Sequence, residues 1–218
     1  MGEEVKEKSC KKEIRKLIVE TAHQLFIEHG IKDVKMDDIA TKLSISKRTI
    51  YELFNDKEQL LREILELQNE KMLENGKEII RNSKHILEII LKLYNLHFEL
   101  LKKVNGKFFA ELSKYPEICK EKQKKEKKNA KKFCAWMELG RQQGLFREDA
   151  DFEILVFILK RDLATILEAK MQTGHTDLKK YTPDELGRKL ILFYLRGIST
   201  PRGQEIIEEY LKRNETIL

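Results

Sequence analysis

The sequence contains few residues that interrupt a helix. Only 3 prolines and 10 glycines occur among 218 residues, and these two residue types disfavour a helix interior most strongly. The stretches between them are rich in leucine, isoleucine, glutamate and lysine, a composition that favours helix. The sequence therefore predicts an all-α protein.

Long apolar runs and cysteine pairs are also missing. No run of eighteen apolar residues occurs, and the N-terminal segment lacks the apolar core of a signal peptide. We therefore expect a soluble, cytoplasmic protein that does not enter a membrane. Cys10, Cys119 and Cys134 are odd in number and lack the spacing of zinc ligands. We expect them to be reduced thiols and not a disulfide framework.

Motifs for catalysis and metal binding do not occur. The sequence has no phosphate-binding glycine loop and no nucleophile elbow, and its five histidines are scattered. Glu20 and His23 have Glu-x-x-His spacing, but the second copy that a di-iron helical bundle requires is missing. We expect no enzyme activity, no metal site and no cofactor.

Residues 37–57 carry the most informative pattern, which is two short helices joined by a tight turn. In the first helix, Ile39 and Leu43 lie four residues apart on one face. Ile45 is the apolar residue of the turn, and Ser46 can cap the N-terminus of the second helix. This is the sequence form of a helix-turn-helix that reads DNA.

The second helix is predicted to have an apolar inner face and a polar outer face. Its outward residues are Lys47, Arg48, Thr49 and Tyr51. Cations in the first turn of a helix oppose its dipole, whereas phosphates and base edges at that position favour them. Lys57 begins the next helix, where free backbone amides and a lysine can bind phosphate. The alternative is an ordinary helical domain with a solvated basic face.

The elements around this pattern resemble the DNA-binding domain of the TetR family of bacterial transcriptional regulators. A first helix carries Ala22 and Phe26 ahead of a glycine stop at Gly30, and residues 36–61 follow with the two-helix pattern. The resemblance covers residues 11–65. It implies DNA contacts at Lys35, Ser46, Lys47, Arg48, Thr49, Tyr51 and Lys57.

Three residues depart from the family's pattern. Ser44 occupies the position of a common turn glycine, so the turn is strained if this residue needs a positive φ. Lys35 replaces a hydroxyl residue that would cap the first helix of the pair, and it offers a charged phosphate contact instead. Leu53 stands where the family often has a histidine, and we assign no DNA contact to it.

The resemblance implies two domains. A three-helix head occupies residues 1–56, and a larger helical domain that binds a ligand and dimerises occupies residues 57–218, beginning with a connecting helix at about 57–81. Amphipathic patterns predict further helices at 85–103, around 108–112 and at 117–143.

The last two predicted helices, at about 152–171 and 184–197, have apolar residues on more than one face. Such helices need a cover, and a second copy of the chain can supply it. In the resembling family this pair forms a four-helix bundle between subunits, so we expect a homodimer and a palindromic operator in double-stranded DNA. The alternative is that both helices complete a monomeric core.

The family's mechanism implies a repressor that leaves its operator when a small-molecule effector binds. Candidate effector contacts are Tyr94, His97, Phe98, Phe109, Trp136, Met137 and Phe157, each of which could equally be core. A second hypothesis is a homodimeric helical adaptor that binds a small molecule or a protein without a specific DNA target. The sequence does not identify the effector, the operator, the regulated genes or the direction of regulation.

Residues 120–132 hold eight lysines and two glutamates, a net charge of +6 that equals the formal net charge of the whole chain. The other residues therefore sum to zero, and the alkaline pI of 9.0 reflects this stretch and not the head. We interpret the stretch as the solvated face of a helix, with a second nucleic-acid patch as the alternative.

Overall fold

The structure is a computed structural model that describes residues 2–170 and 181–213, with side chains except at 2–8, 162–165, 167–170 and 183–184. This part of the chain folds as α-helices joined by short loops, which confirms the all-α prediction. Their bounds are α1 Gly2–His29, α2 Met36–Leu43, α3 Lys47–Leu53, α4 Lys57–Arg81, α5 Ile86–Lys103, α6 Gly106–Leu112, α7 Pro116–Gln142, α8 Phe152–Lys170, α9 Pro183–Ile198 and α10 Pro201–Arg213. Among the described residues no helix is long and apolar enough to cross a membrane.

The chain forms two compact units. The first comprises Met1–Leu73 and Val104–Ile118, and the second comprises Glu74–Lys103 and Cys119–Leu218. Helices α4 and α7 contribute residues to both.

The first unit has a continuous apolar core. Residues of α1 at helical spacing, including Ile18, Ala22 and Phe26, are buried in it. Helix α1 ends where Gly30 adopts a φ of +94° and donates its N–H to the carbonyl of Phe26 at 2.9 Å, as the glycine stop predicted. Buried residues of α6 and of the start of α7 complete this core, namely Phe108, Leu112 and Ile118.

The second unit brings α5, α8, α9 and α10 together. On α9, Gly187 leaves room for Phe98 of α5, whose ring carbon lies 2.1 Å from where a Cβ would stand. Helix α8 begins at an N-cap in which the Asp151 carboxylate accepts the N–H groups of Glu153 and Ile154 at 2.9 and 3.0 Å. This cap was predicted as one of two alternatives.

Helix α10 was not predicted from the sequence. Its start signal is nevertheless readable, because the Thr200 hydroxyl accepts the N–H of Gly203 at 3.2 Å and Pro201 occupies the first helical position. A Cβ on Gly203 would stand 2.3 Å from the carbonyl oxygen of Leu145. The glycine therefore permits the start of α10 to approach the backbone that follows α7.

We predict opposite effects for two glycine substitutions in this unit. Gly203→Ala should lower the free energy of unfolding by about 1–3 kcal/mol, because the new methyl group meets backbone that cannot turn away. Gly197→Ala should raise it by up to about 1 kcal/mol, since no described atom lies within 4 Å of the place that the methyl group would take and alanine favours helix. Urea unfolding of the two variants and the parent measures both changes. Equal stability of both variants would contradict this packing.

Candidate nucleic-acid interface

The two short helices and their turn form the predicted helix-turn-helix. Ser44 ends α2 with a φ of +53°, and the N–H groups of Ser44 and Ile45 donate to the carbonyls of Thr41 and Ala40, both at 3.1 Å. This is a Schellman arrangement with serine in the left-handed position that glycine usually occupies. The strain expected for Ser44 is confirmed.

Helix α3 is anchored by its inner face. Ile50 and Phe54 are fully buried in the core of the first unit, which confirms the inward orientation predicted for them. Ser46 caps the helix, since its hydroxyl accepts the N–H of Thr49 at 3.0 Å. The cap and the buried face together leave the opposite side of α3 in solvent.

The outer face of α3 carries the predicted polar set. Lys47, Arg48 and Tyr51 are exposed, and Thr49 is half-buried. The Arg48 side chain is 87% exposed, which leaves its guanidinium able to reach another molecule. The hydroxyls of Ser46 and Thr49 lie 2.8 Å apart and form a hydrogen bond with each other.

Each cation on this face has an acidic neighbour. The Lys47 ammonium lies 2.9 Å from the Asp37 carboxylate, and the hydrogen bond and charge of that carboxylate raise the pKa of Lys47. Arg48 Nε lies 2.8 Å from a carboxylate oxygen of Glu52. The second pair could have been predicted from its i, i+4 spacing, whereas the first joins different helices. Both pairs are exposed, so an incoming phosphate can compete for the cations at small cost.

Lys57 is bound to the loop that follows α1. Its ammonium donates to the carbonyl of Ile31 at 2.7 Å and to that of Lys32 at 3.4 Å, and it lies 5.9 Å from the centre of the Phe26 ring. Burial lowers the pKa of Lys57 although carboxylates nearby oppose this shift. The side chain thus contributes to the packing of the first unit, a role that the sequence did not reveal.

The start of α4 is capped as predicted. The Asp56 carboxylate accepts the N–H of Gln59 at 2.7 Å, and the Asn55 N–H donates to the Gln59 side chain at 2.8 Å. At the start of α2, the Lys35 N–H donates to the Asp38 carboxylate at 2.7 Å. Asp38 therefore satisfies this backbone group, and the Lys35 side chain remains exposed.

The candidate effector residues fall into different environments. Tyr94, His97 and Phe98 of α5 are brought together, with ring centres of Phe98 lying 6.2 Å from Tyr94 and 5.7 Å from His97. Phe133 of α7 joins them at 6.4 Å from Tyr94 and was not among the predicted residues. Burial raises the pKa of Tyr94 to about 12 and, with the nearby charge of Lys122, lowers that of His97.

The other four candidates do not join this group in the same way. Phe109 packs against the core of the first unit, and Phe157 is 63% exposed on α8. Met137 is fully buried and Trp136 half-buried on α7. No cluster of three metal-ligating side chains occurs among the described residues.

The geometry of α2, the left-handed turn and α3 defines a helix-turn-helix protein with a cationic outer face. Residues 18–64 match the family model described as bacterial regulatory proteins, tetR family. The chain belongs to the tetR family.

Curated relatives match only the N-terminal part of the chain. An HTH-type transcriptional regulator of Staphylococcus aureus strain USA300 is 45% identical over 49 residues, which are 22% of this chain and 26% of the relative. The regulator of strain NCTC 8325 matches to the same extent. The chain thus spans about a quarter of the length of these relatives.

Solved structures match the fold over most of the chain. A transcriptional regulator from Saccharomonospora viridis in complex with choline has a TM-score of 0.72 and 22% identity, with coverage of 87% of this chain and 99% of that one. A TetR-family transcriptional regulator from Agrobacterium tumefaciens has a TM-score of 0.67 and 16% identity, with coverage of 87% and 100%. The likeness extends through the helices of both units.

We predict that the strained turn can be relieved by one substitution. Ser44→Gly should raise the free energy of unfolding by about 0.5–1 kcal/mol, because glycine adopts a positive φ without steric cost. Ser46→Ala, two residues away, should lower it by about 1 kcal/mol through loss of the N-cap. Thermal unfolding followed by circular dichroism compares the variants. A lower melting temperature for Ser44→Gly than for the parent would contradict the assigned turn.

Proposed function

We propose that the protein is a transcriptional regulator that binds a specific sequence in double-stranded DNA by inserting α3 into the major groove. The observation that supports this proposal most strongly is the division of α3 into two faces. Ile50 is fully buried, while Lys47, Arg48 and Tyr51 face solvent at the free N-terminal half of the helix. A helix held from behind in this way can enter a groove without unfolding any part of its domain.

The outer residues have chemistry suited to different parts of DNA. The guanidinium of Arg48 can donate two hydrogen bonds to the edge of a guanine, which is the commonest specific contact in the major groove. Lys47, Thr49 and Tyr51 can donate to phosphates, and Ser46 and Lys35 flank them. Lys57 can add a phosphate contact through any N–H that its two carbonyl partners leave available.

A homodimer is the second part of the proposal. Three apolar side chains of the last two predicted helices face solvent in the single chain: Ile154 is 56% exposed, Phe157 63% and Phe193 72%. A second copy would remove these groups from water and place two heads on a two-fold axis. Residue 171 and the side chains at 162–165, 167–170 and 184, which belong to the expected interface, lie outside the described residues.

The third part is release from a palindromic operator by a small-molecule effector, which makes the protein a repressor. The Asn95 side-chain oxygen is buried without a hydrogen-bond partner in the described part of the chain, and a ligand with a donor group would satisfy it. The neighbouring Tyr94, His97 and Phe98 supply aromatic walls. The similar Saccharomonospora viridis regulator is bound to choline, which supports a small organic effector in the second unit.

We predict that Arg48→Ala lowers affinity for the preferred duplex about 10- to 100-fold and relaxes base choice at one symmetric pair of positions, because a bidentate contact contributes about 1–3 kcal/mol. Fluorescence anisotropy with a labelled duplex measures the affinity. Arg81→Ala, which removes an exposed arginine from the end of α4, is the charge-matched control and should bind normally. Unchanged binding by Arg48→Ala would refute the assigned reading residue and favour the adaptor hypothesis if the parent also shows no preferred duplex.

We predict that Phe193→Glu converts the dimer to a monomer, because a carboxylate cannot be buried in the apolar interface without a partner. Sedimentation velocity should give twice the 25.8 kDa chain mass for the parent and the single mass for the variant. Leu139→Glu alters another exposed apolar side chain, on α7, and should remain dimeric. A Phe193→Glu variant with the sedimentation coefficient of the parent would exclude this interface.

A further inference from the structure

The exposed side of α7 between residues 120 and 132 is a row of lysines. Every residue from 120 to 129 is exposed, as are Lys131 and Lys132. Lys122 pairs with Glu126 at 3.9 Å. Six lysines have no ion pair or hydrogen bond to any described residue, namely Lys124, Lys125, Lys127, Lys128, Lys131 and Lys132.

This row is unfavourable for the isolated protein. Lys124, Lys128 and Lys132 follow one another at i, i+4 spacing, and like charges at that spacing destabilise a helix by about 0.2–0.5 kcal/mol per pair. Elsewhere the charges of the chain sum to zero, and ion pairs link many exposed lysines and arginines to carboxylates. A polyanion would remove this repulsion.

The residue types narrow the class of polyanion. The apolar side of this helix, with half-buried Phe133 and buried Met137, is occupied by the fold, so no apolar face is available to enter a lipid bilayer. Residues 120–132 contain no aromatic residue on which single-stranded bases could stack. They also contain no arginine, the residue that forms bidentate contacts to bases or to carboxylates. Point charges suited to a phosphate backbone remain.

The charge spacing matches that of duplex DNA. Thirteen helical residues extend about 20 Å, so a net charge of +6 corresponds to one positive charge per roughly 3.3 Å of helix axis. One strand of B-DNA carries one negative charge per about 3.4 Å of its axis. We propose that the lysine row of α7 is a docking surface for the phosphate backbone of duplex DNA that does not read sequence. This inference rests on the proposed DNA-binding function, to which it adds a second contact site.

The test is the salt dependence of binding to a random-sequence duplex. A variant with Lys124→Gln, Lys125→Gln, Lys128→Gln and Lys132→Gln should bind that duplex at least 10-fold more weakly near physiological salt. The slope of log affinity against log salt concentration should fall by about two to four, because each phosphate contact contributes about 0.9. Glutamine keeps the helix propensity of lysine, and circular dichroism checks that the variant is folded.

A matched variant controls for net charge. Lys77→Gln, Lys103→Gln, Lys160→Gln and Lys212→Gln remove four exposed lysines of the same unit and should change the slope by less than one. An equal change in both variants would overturn the proposal, since it would show a general effect of charge. No change in either would overturn it too.

Failure of this inference can be told from failure of the proposed function. The α7 variant should keep the parent's ratio of affinity for preferred over random duplex, while Arg48→Ala should lose that ratio and keep the salt slope contributed by α7. A parent that binds no duplex would contradict the proposed function itself. Vesicles containing phosphatidylserine provide the other polyanion: their capture of the parent, with unchanged salt slopes on DNA for the α7 variant, would assign the row to a membrane surface and refute our proposal.

Discussion

The arrangement of the candidate interface depends on one arginine. Arg15 of α1 forms an ion pair with Glu63 of α4, donates to the carbonyl of Leu53 at 2.8 Å, and lies with its guanidinium carbon 4.5 Å from the centre of the Phe54 ring. A single half-buried side chain thus connects three helices at the C-terminal end of α3. Because this end is fixed, the opposite end can present Lys47 and Arg48 in a defined orientation.

The free protein holds its outward cations in weak, exchangeable pairs. Asp37 and Glu52 orient Lys47 and Arg48, yet all four side chains remain exposed, where ion pairs contribute little to stability. In the proposed complex, phosphates and base edges replace these carboxylates. The buried face of α3 therefore provides rigidity, and its exposed face provides groups that can change partners without disturbing the core.

Local signals made much of the first unit predictable. The glycine stop at Gly30, the cap at Ser46 and the inward Ile50 each depend on residues within a few positions of one another, and all were confirmed. Contacts between residues distant in sequence were not predictable in this way. Arg15 with Glu63 and Lys57 with Ile31 are separated by 48 and 26 residues, and no periodicity reports them. Helix α10 was missed although its Thr-Pro start is a local signal.

The central claim is that α3 of two subunits reads double-stranded DNA. Enrichment of bound duplexes from a random-sequence pool, followed by sequencing, tests it most directly. Our account predicts a palindrome with half-sites centred roughly 34 Å or a little more apart, about one helical turn of DNA. Recovery of duplexes with no shared sequence, or of a single unrepeated half-site, would contradict it.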